Sequence, residues 1–108
     1  MKANSVILIG YVGKDLITRN LENGSKRVAL RIATHYAKKD SHGEKLYLTV
    51  WHDVVAWDRT AEYAERNLVK GSRIMVDGSI AYRTYPDKQK HIRYVTQITA
   101  HSLMNLDR

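Results

Sequence analysis

Residues 45–80 read KLYLTVWHDVVAWDRTAEYAERNLVKGSRIMVDGSI, and the hydrophobic period changes twice within them. Up to Trp57, β-branched and aromatic residues crowd a run that suits a strand. From Asp58 onward, Ala61, Ala64 and Leu68 recur at helical spacing, and after Gly71 the β-branched character returns. Strand, helix, strand is the reading. Asp58 or Thr60 is expected to cap the helix and Gly71 to stop it.

Upstream lie two further strand-like runs, SVILIGYVG (5–13), closed by Gly10 and Gly13, and KRVALRIATHY (26–36), entered through the turn signal ENGS. In the second run Val28, Leu30, Ile32 and Thr34 share one face of the pleat, while Arg27, Ala29, Arg31, Ala33 and His35 share the other. The first set reads as core and the second as wet. The polar stretch AKKDSHGE (37–44) then joins this run to the quoted one as a hairpin with a basic tip. Downstream, IRYVTQITAHSLM (92–104) follows the loop RTYPDKQKH, which holds the only proline, Pro86. Three strands, one helix and two strands in this order predict an all-β chain with one helix. The expected architecture is an OB-fold, a five-stranded Greek-key barrel with the helix between the third and fourth strands.

The 108 residues suit one domain spanning 1–108. With no cysteine, disulfides and thiolate metal sites are excluded, and an intracellular, cytoplasmic location is expected. No apolar run approaches the ~20 residues of a membrane span, so no membrane partner is expected. Eighteen Lys and Arg against eleven Asp and Glu give a net charge of +7, which favours a polyanionic partner such as nucleic acid.

If no bulge intervenes, strand alternation puts Trp51, Asp53, Val55 and Trp57 on one face, and Val50, His52, Val54 and Ala56 on the other. The second set reads as barrel interior. Two indoles beside an aspartate suit a partly wet surface that something flat will cover, and a nucleobase is flat. Tyr36, Tyr82 and Tyr85 stand near basic hairpin tips, with Lys38, Lys39 and Lys45 around the first and Arg83, Lys88, Lys90 and Arg93 around the second. Phosphates alternate with bases along a strand, so a groove that follows one needs cations between its stacking rings.

At these motifs the chain resembles the bacterial single-stranded DNA-binding protein (SSB) family. NSVILIGYVGKD is similar to the family's opening strand and glycine turn, and ENGSKRVALRIAT to its Asn-Gly turn and second strand. The most specific piece is WHDVVAWDRTAEYAERNLVKGSRIMVDGSI, with Trp-His, an aromatic six residues later, Ala-Glu, Lys-Gly and a Val-acid-Gly strand. The resemblance implies sequence-independent binding and protection of single-stranded DNA in replication, recombination and repair, with no catalysis and no cofactor. It also implies a homotetramer in the bacterial cytoplasm, associated with the nucleoid. Trp51, Trp57 and Tyr85 fall on stacking positions, and Tyr36 at or one residue beside a fourth. Arg19, Arg59, Lys70 and Arg83 match basic positions that contact the backbone, and Arg31, Lys38 and Lys45 are added as expected phosphate contacts. Asp53 departs from the pattern, since many members carry a basic residue after Trp-His, and Leu16 and Ile17 replace the usual Pro-containing turn. Members usually continue into a linker and an acidic tail that recruits replication and repair enzymes. This chain stops at LMNLDR, which reads either as a binding domain on its own or as a tailless relative, and no tail-mediated recruitment is expected of it.

Three other readings stand beside this one. An enzyme is disfavoured because adjacent strand residues such as His52 and Asp53 point to opposite faces, and no nucleophile elbow or phosphate-binding loop occurs. The primosomal replication protein, an OB-fold relative that lacks the tail, is the nearer alternative, although the paired tryptophans favour the SSB reading. A structural protein–protein module predicts that DNA leaves tryptophan fluorescence unchanged.

Overall fold

A computed structural model describes residues 3–14 and 16–107. In chain order the elements are β1 (Val6–Val12), β2 (Ile17–Asn20), β3 (Lys26–Lys39), β4 (Lys45–Trp57), α1 (Asp58–Asn67), β5 (Arg73–Pro86) and β6 (Ile92–Asn105). The sheet order is β1-β5-β6-β4-β3-β2, and a further β1–β3 pairing, Tyr11 opposite Ala33 and Val12 opposite Ile32, closes it into a five-stranded barrel. Between β4 and β6 the pairing is parallel, with Val54 opposite Ile98 and Val55 opposite Thr99. All other pairings are antiparallel. The expected barrel is present, with one strand more than the five read from sequence. That strand, β2, lies on the outer edge of β3, and all four of its residues are exposed. A short exposed segment has no buried face to impose alternation, so ITRN carries no strand signal. With β2 counted, the helix follows the fourth strand rather than the third.

Inward alternation builds the core. Val28, Leu30 and Ile32 from β3 meet Val54 and Ala56 from β4, Ile74 and Val76 from β5, and Ile98 from β6. Each fully buried Val, Leu or Ile stabilises the fold by about 1.5–3 kcal/mol relative to exposure. Val50 and His52 share this pleat face, but the β4–β6 pairing at Val54 and Val55 does not extend to them, and Val50 is exposed and His52 half-buried. His52 Nε2 is instead 2.9 Å from Thr34 Oγ1. Gly10 is required where β1 passes β3, because a Cβ there would overlap the carbonyl oxygen of Ala33.

α1 plugs one end of the barrel with Ala61 and Ala64, and Leu68 follows them into the core. Its start differs from expectation, since neither Asp58 nor Thr60 caps it. The N-cap is Trp57, with no side-chain cap. Asp58 is drawn away because its Oδ1 accepts the Lys26 backbone N–H at 3.1 Å, and Thr60 Oγ1 donates to the His101 carbonyl at 3.4 Å. The helix ends at Asn67, short of Gly71. An ion pair between Lys26 and Glu65 ties it to β3.

The two long hairpins, β3–β4 and β5–β6, project past the barrel and end in the same turn. Asp40 Oδ1 accepts the backbone N–H groups of His42 and Glu44 at 2.8 and 2.9 Å. Asp87 Oδ1 accepts those of Gln89 and His91, both at 2.9 Å. Each turn needs a left-handed residue at its fourth position. Gly43 fills it in the first with φ 81°, and Lys90 in the second with φ 64°.

Candidate nucleic-acid interface

β3 and β4 place their outward residues in directly opposed pairs: Arg27 with Trp57, Ala29 with Val55, Arg31 with Asp53, and Ala33 with Trp51. Large rings therefore alternate with small alanines and arginines across one sheet face. Trp51 is 46% exposed and Trp57 40%. On β5, Arg83 and Tyr85 share the corresponding outward face, and Tyr85 is 43% exposed. Each ring has an arginine over it: Arg31 Cζ is 5.2 Å from the Trp51 centroid, Arg27 is 6.0 Å from Trp57, and Arg83 is 6.0 Å from Tyr85. Guanidinium and aromatic ring attract through the ring quadrupole, so each arginine shields part of a ring that stays 40–46% exposed.

Gly13 sets the position of Trp51. A Cβ at Gly13 would overlap the six-membered part of the indole, so the ring rests against bare backbone where β1 ends.

Next to the rings, and joined to them by the arginines over them, is an open groove of about 580 Å³, lined by Lys14, Arg19, Arg27, Arg31 and Arg83 with Asp53 as its acidic member among the described residues. Its cations crowd one another. Partial burial first, then the charges of Arg83 and Arg19, lower the Arg27 pKa from its ordinary value. An anion in the groove would relieve that repulsion. The groove therefore offers positive charge and flat apolar surface side by side.

Of the expected residues, Arg19, Arg31 and Arg83 line the groove, while Trp51, Trp57 and Tyr85 do not line it but each meet an arginine that does. Tyr36 is elsewhere: it pairs with Leu48, on the pleat face opposite the tryptophans, on the hairpin arm beyond the barrel. Lys38 and Lys45 are also on that arm, exposed. Arg59 lies in the first turn of α1 and Lys70 between α1 and β5, and neither lines the groove. Sequence reasoning passed over two groove cations. Arg27 was within reach, since it alternates with Arg31 on the wet face of β3; Lys14 follows the end of β1 and carries no periodic signal. Among the described residues no group of three or more His, Asp or Glu side chains is arranged to hold a metal ion. No helix is long and apolar enough to cross a membrane among the residues described.

A family profile described as the single-strand binding protein family matches residues 3–106. Single-stranded DNA-binding protein 1 of Chlorobaculum tepidum is 33% identical over 104 residues, which are 95% of this chain and 64% of that protein. The chain thus spans less than two thirds of that relative's length. Among solved structures, the Plasmodium falciparum SSB in complex with ssDNA superposes with a TM-score of 0.89 at 27% identity, covering 99% of this chain and 97% of the other. A deletion mutant of the single-stranded DNA binding protein from Thermus aquaticus gives a TM-score of 0.84 at 27% identity, over 96% of this chain and 50% of that one.

Proposed function

Because the chain belongs to the single-strand binding protein family, we propose that it binds single-stranded DNA without sequence preference and shields it during replication, recombination and repair. The role is binding without a catalytic step, in the cytoplasm beside the nucleoid. One observation carries the reading: Trp51, Trp57 and Tyr85 each meet an arginine, on faces that border a groove rich in cations. Bases stack on the rings, each worth about 1–3 kcal/mol and indifferent to base identity. Phosphates between them meet Arg19, Arg31 and Arg83, together with Arg27 and Lys14. Tyr36, Lys38 and Lys45 serve a strand that runs on along the hairpin arm, and Arg59 and Lys70 one that continues beyond the groove.

The chain is also proposed to self-associate as a homotetramer. In support, the outward side of β1 leaves Ile7, Ile9 and Tyr11 exposed, an apolar strip that a second copy would cover. Sedimentation of the free protein reads this, and a monomer at micromolar concentration would reject it.

The test of binding is a titration of tryptophan fluorescence with oligo-dT and with duplex DNA, each at low and high salt. Strong quenching by oligo-dT alone, with affinity falling as salt rises, is the expected result. Equal weak binding to both DNAs, or no quenching, would refute it.

A further inference from the structure

Asp53 is out of place in a groove that takes phosphates. It stands directly opposite Arg31 across the β3–β4 pair, and its Oδ1 lies 3.3 Å from Arg31 Nε. The contact is an ion pair of poor geometry, because that Nε is shut off from solvent and has no well-formed hydrogen bond. The arginine side chain as a whole is 41% exposed, and its guanidinium lies over the Trp51 ring. Both things a single strand needs here, an indole face and a guanidinium, are therefore partly engaged with the protein itself.

We infer that Asp53 holds Arg31 over Trp51 in the free protein, and that an incoming strand must displace this contact, its phosphate replacing the carboxylate and its base replacing the guanidinium. Asp53 thus weakens binding and eases release. The inference rests on the single-strand reading above. A phosphate oxygen is not fixed to a neighbouring strand, so it approaches the guanidinium with better alignment than the Asp53 carboxylate reaches. The remaining groove cations, Lys14, Arg19, Arg27 and Arg83, attract the strand without this competition.

The test uses Asp53→Asn, Arg31→Gln and the double variant, with labelled oligo-dT followed by anisotropy at several salt concentrations. Asp53→Asn is expected to tighten binding roughly fivefold, the scale of a partly exposed ion pair. It should also steepen the slope of log K against log salt by about 0.7, one more phosphate neutralised on a single strand. In the Arg31→Gln background the same change should do little, because the contact it releases is already gone. Unchanged or weaker binding by Asp53→Asn overturns the inference, and so does an equal gain without Arg31, which would reduce Asp53 to bulk charge. A second arm needs no DNA: in a Trp57→Phe background, Asp53→Asn should raise the acrylamide quenching of Trp51 in the free protein. Unchanged quenching also overturns the inference. If the unsubstituted chain does not bind oligo-dT, the single-strand reading itself fails, a result distinct from normal binding that Asp53→Asn leaves unaltered.

Discussion

Replacing Trp51 with alanine separates a stacking ring from a core ring, because the two roles predict different ratios of lost binding to lost stability. Removing a fully buried tryptophan costs about 3–5 kcal/mol of stability. Trp51 is 46% exposed and rests on the bare backbone of Gly13, so roughly half of that, about 2 kcal/mol, is expected. Binding loses one stacked base, about 1–3 kcal/mol, which is about a 5- to 150-fold drop in affinity. Urea unfolding measures the first quantity, and anisotropy of labelled oligo-dT at one fixed salt concentration, corrected for the folded fraction, measures the second. Trp51→Phe should recover most of the affinity, because a flat ring remains. A stability loss above about 4 kcal/mol with normal affinity per folded molecule would refute the reasoning and return Trp51 to the core.

Gly13→Ala puts a methyl group where the Trp51 ring lies, so the indole must move; oligo-dT affinity should fall by about 1 kcal/mol, a part of the stacking energy, and unchanged affinity would mean that ring position is not critical. Lys90→Gly removes a left-handed lysine at φ 64° and should raise stability by about 0.5–1 kcal/mol in urea unfolding, the strain relieved less glycine's greater chain entropy; a destabilised variant would refute the strain. Asp87 makes hydrogen bonds to the His91 and Gln89 backbone and to Arg93, of which the His91 bond contributes most, and they hold its carboxyl below the ordinary value of 3.8. Its folded-state pKa being depressed, its contribution to the turn is present above that ordinary value and is lost as pH falls through the lower, folded-state one. An NMR titration of the Asp87 carboxyl and the Gln89 and His91 amides should place the midpoint below 3.8, and a midpoint above it would show that these bonds do not hold in solution.

Legibility followed physical constraint. Where one pleat face is buried, period-two alternation is enforced, so Val28, Leu30 and Ile32 in β3 and Val54 and Ala56 in β4 were readable as interior. Trp51 and Trp57, at even spacing on β4, were readable as sharing a face for the same reason. Val55 shares that face yet is buried, because β4 is central there, flanked by β3 and by its parallel pairing to Thr99 of β6. Which strands flank a position is a long-range fact that periodicity does not carry. The helix cap was misread for a related reason: Asp58 has the right chemistry, but the backbone of Lys26, 32 residues away, claims its carboxylate. Tyr36 carries a stacking role from the family resemblance and from its place near the hairpin tip, although its parity sets it opposite the tryptophans.

An open barrel face with two indoles and a tyrosine carries an aggregation risk, and the arginines of the groove answer it. In the free protein each guanidinium covers a ring, giving up little hydration because it is weakly hydrated and still partly exposed. Binding then becomes an exchange in which a base takes the arginine's place on the ring and a phosphate takes the ring's place on the arginine. Both new contacts are stronger than the one lost, and neither depends on base identity. Lysine would serve this exchange less well, since its compact, strongly hydrated ammonium covers an indole poorly. All three rings are covered by arginine. On the proposed function, replacing Arg27, Arg31 and Arg83 together by lysine should preserve the salt dependence of oligo-dT binding while making the free protein more prone to associate through this face.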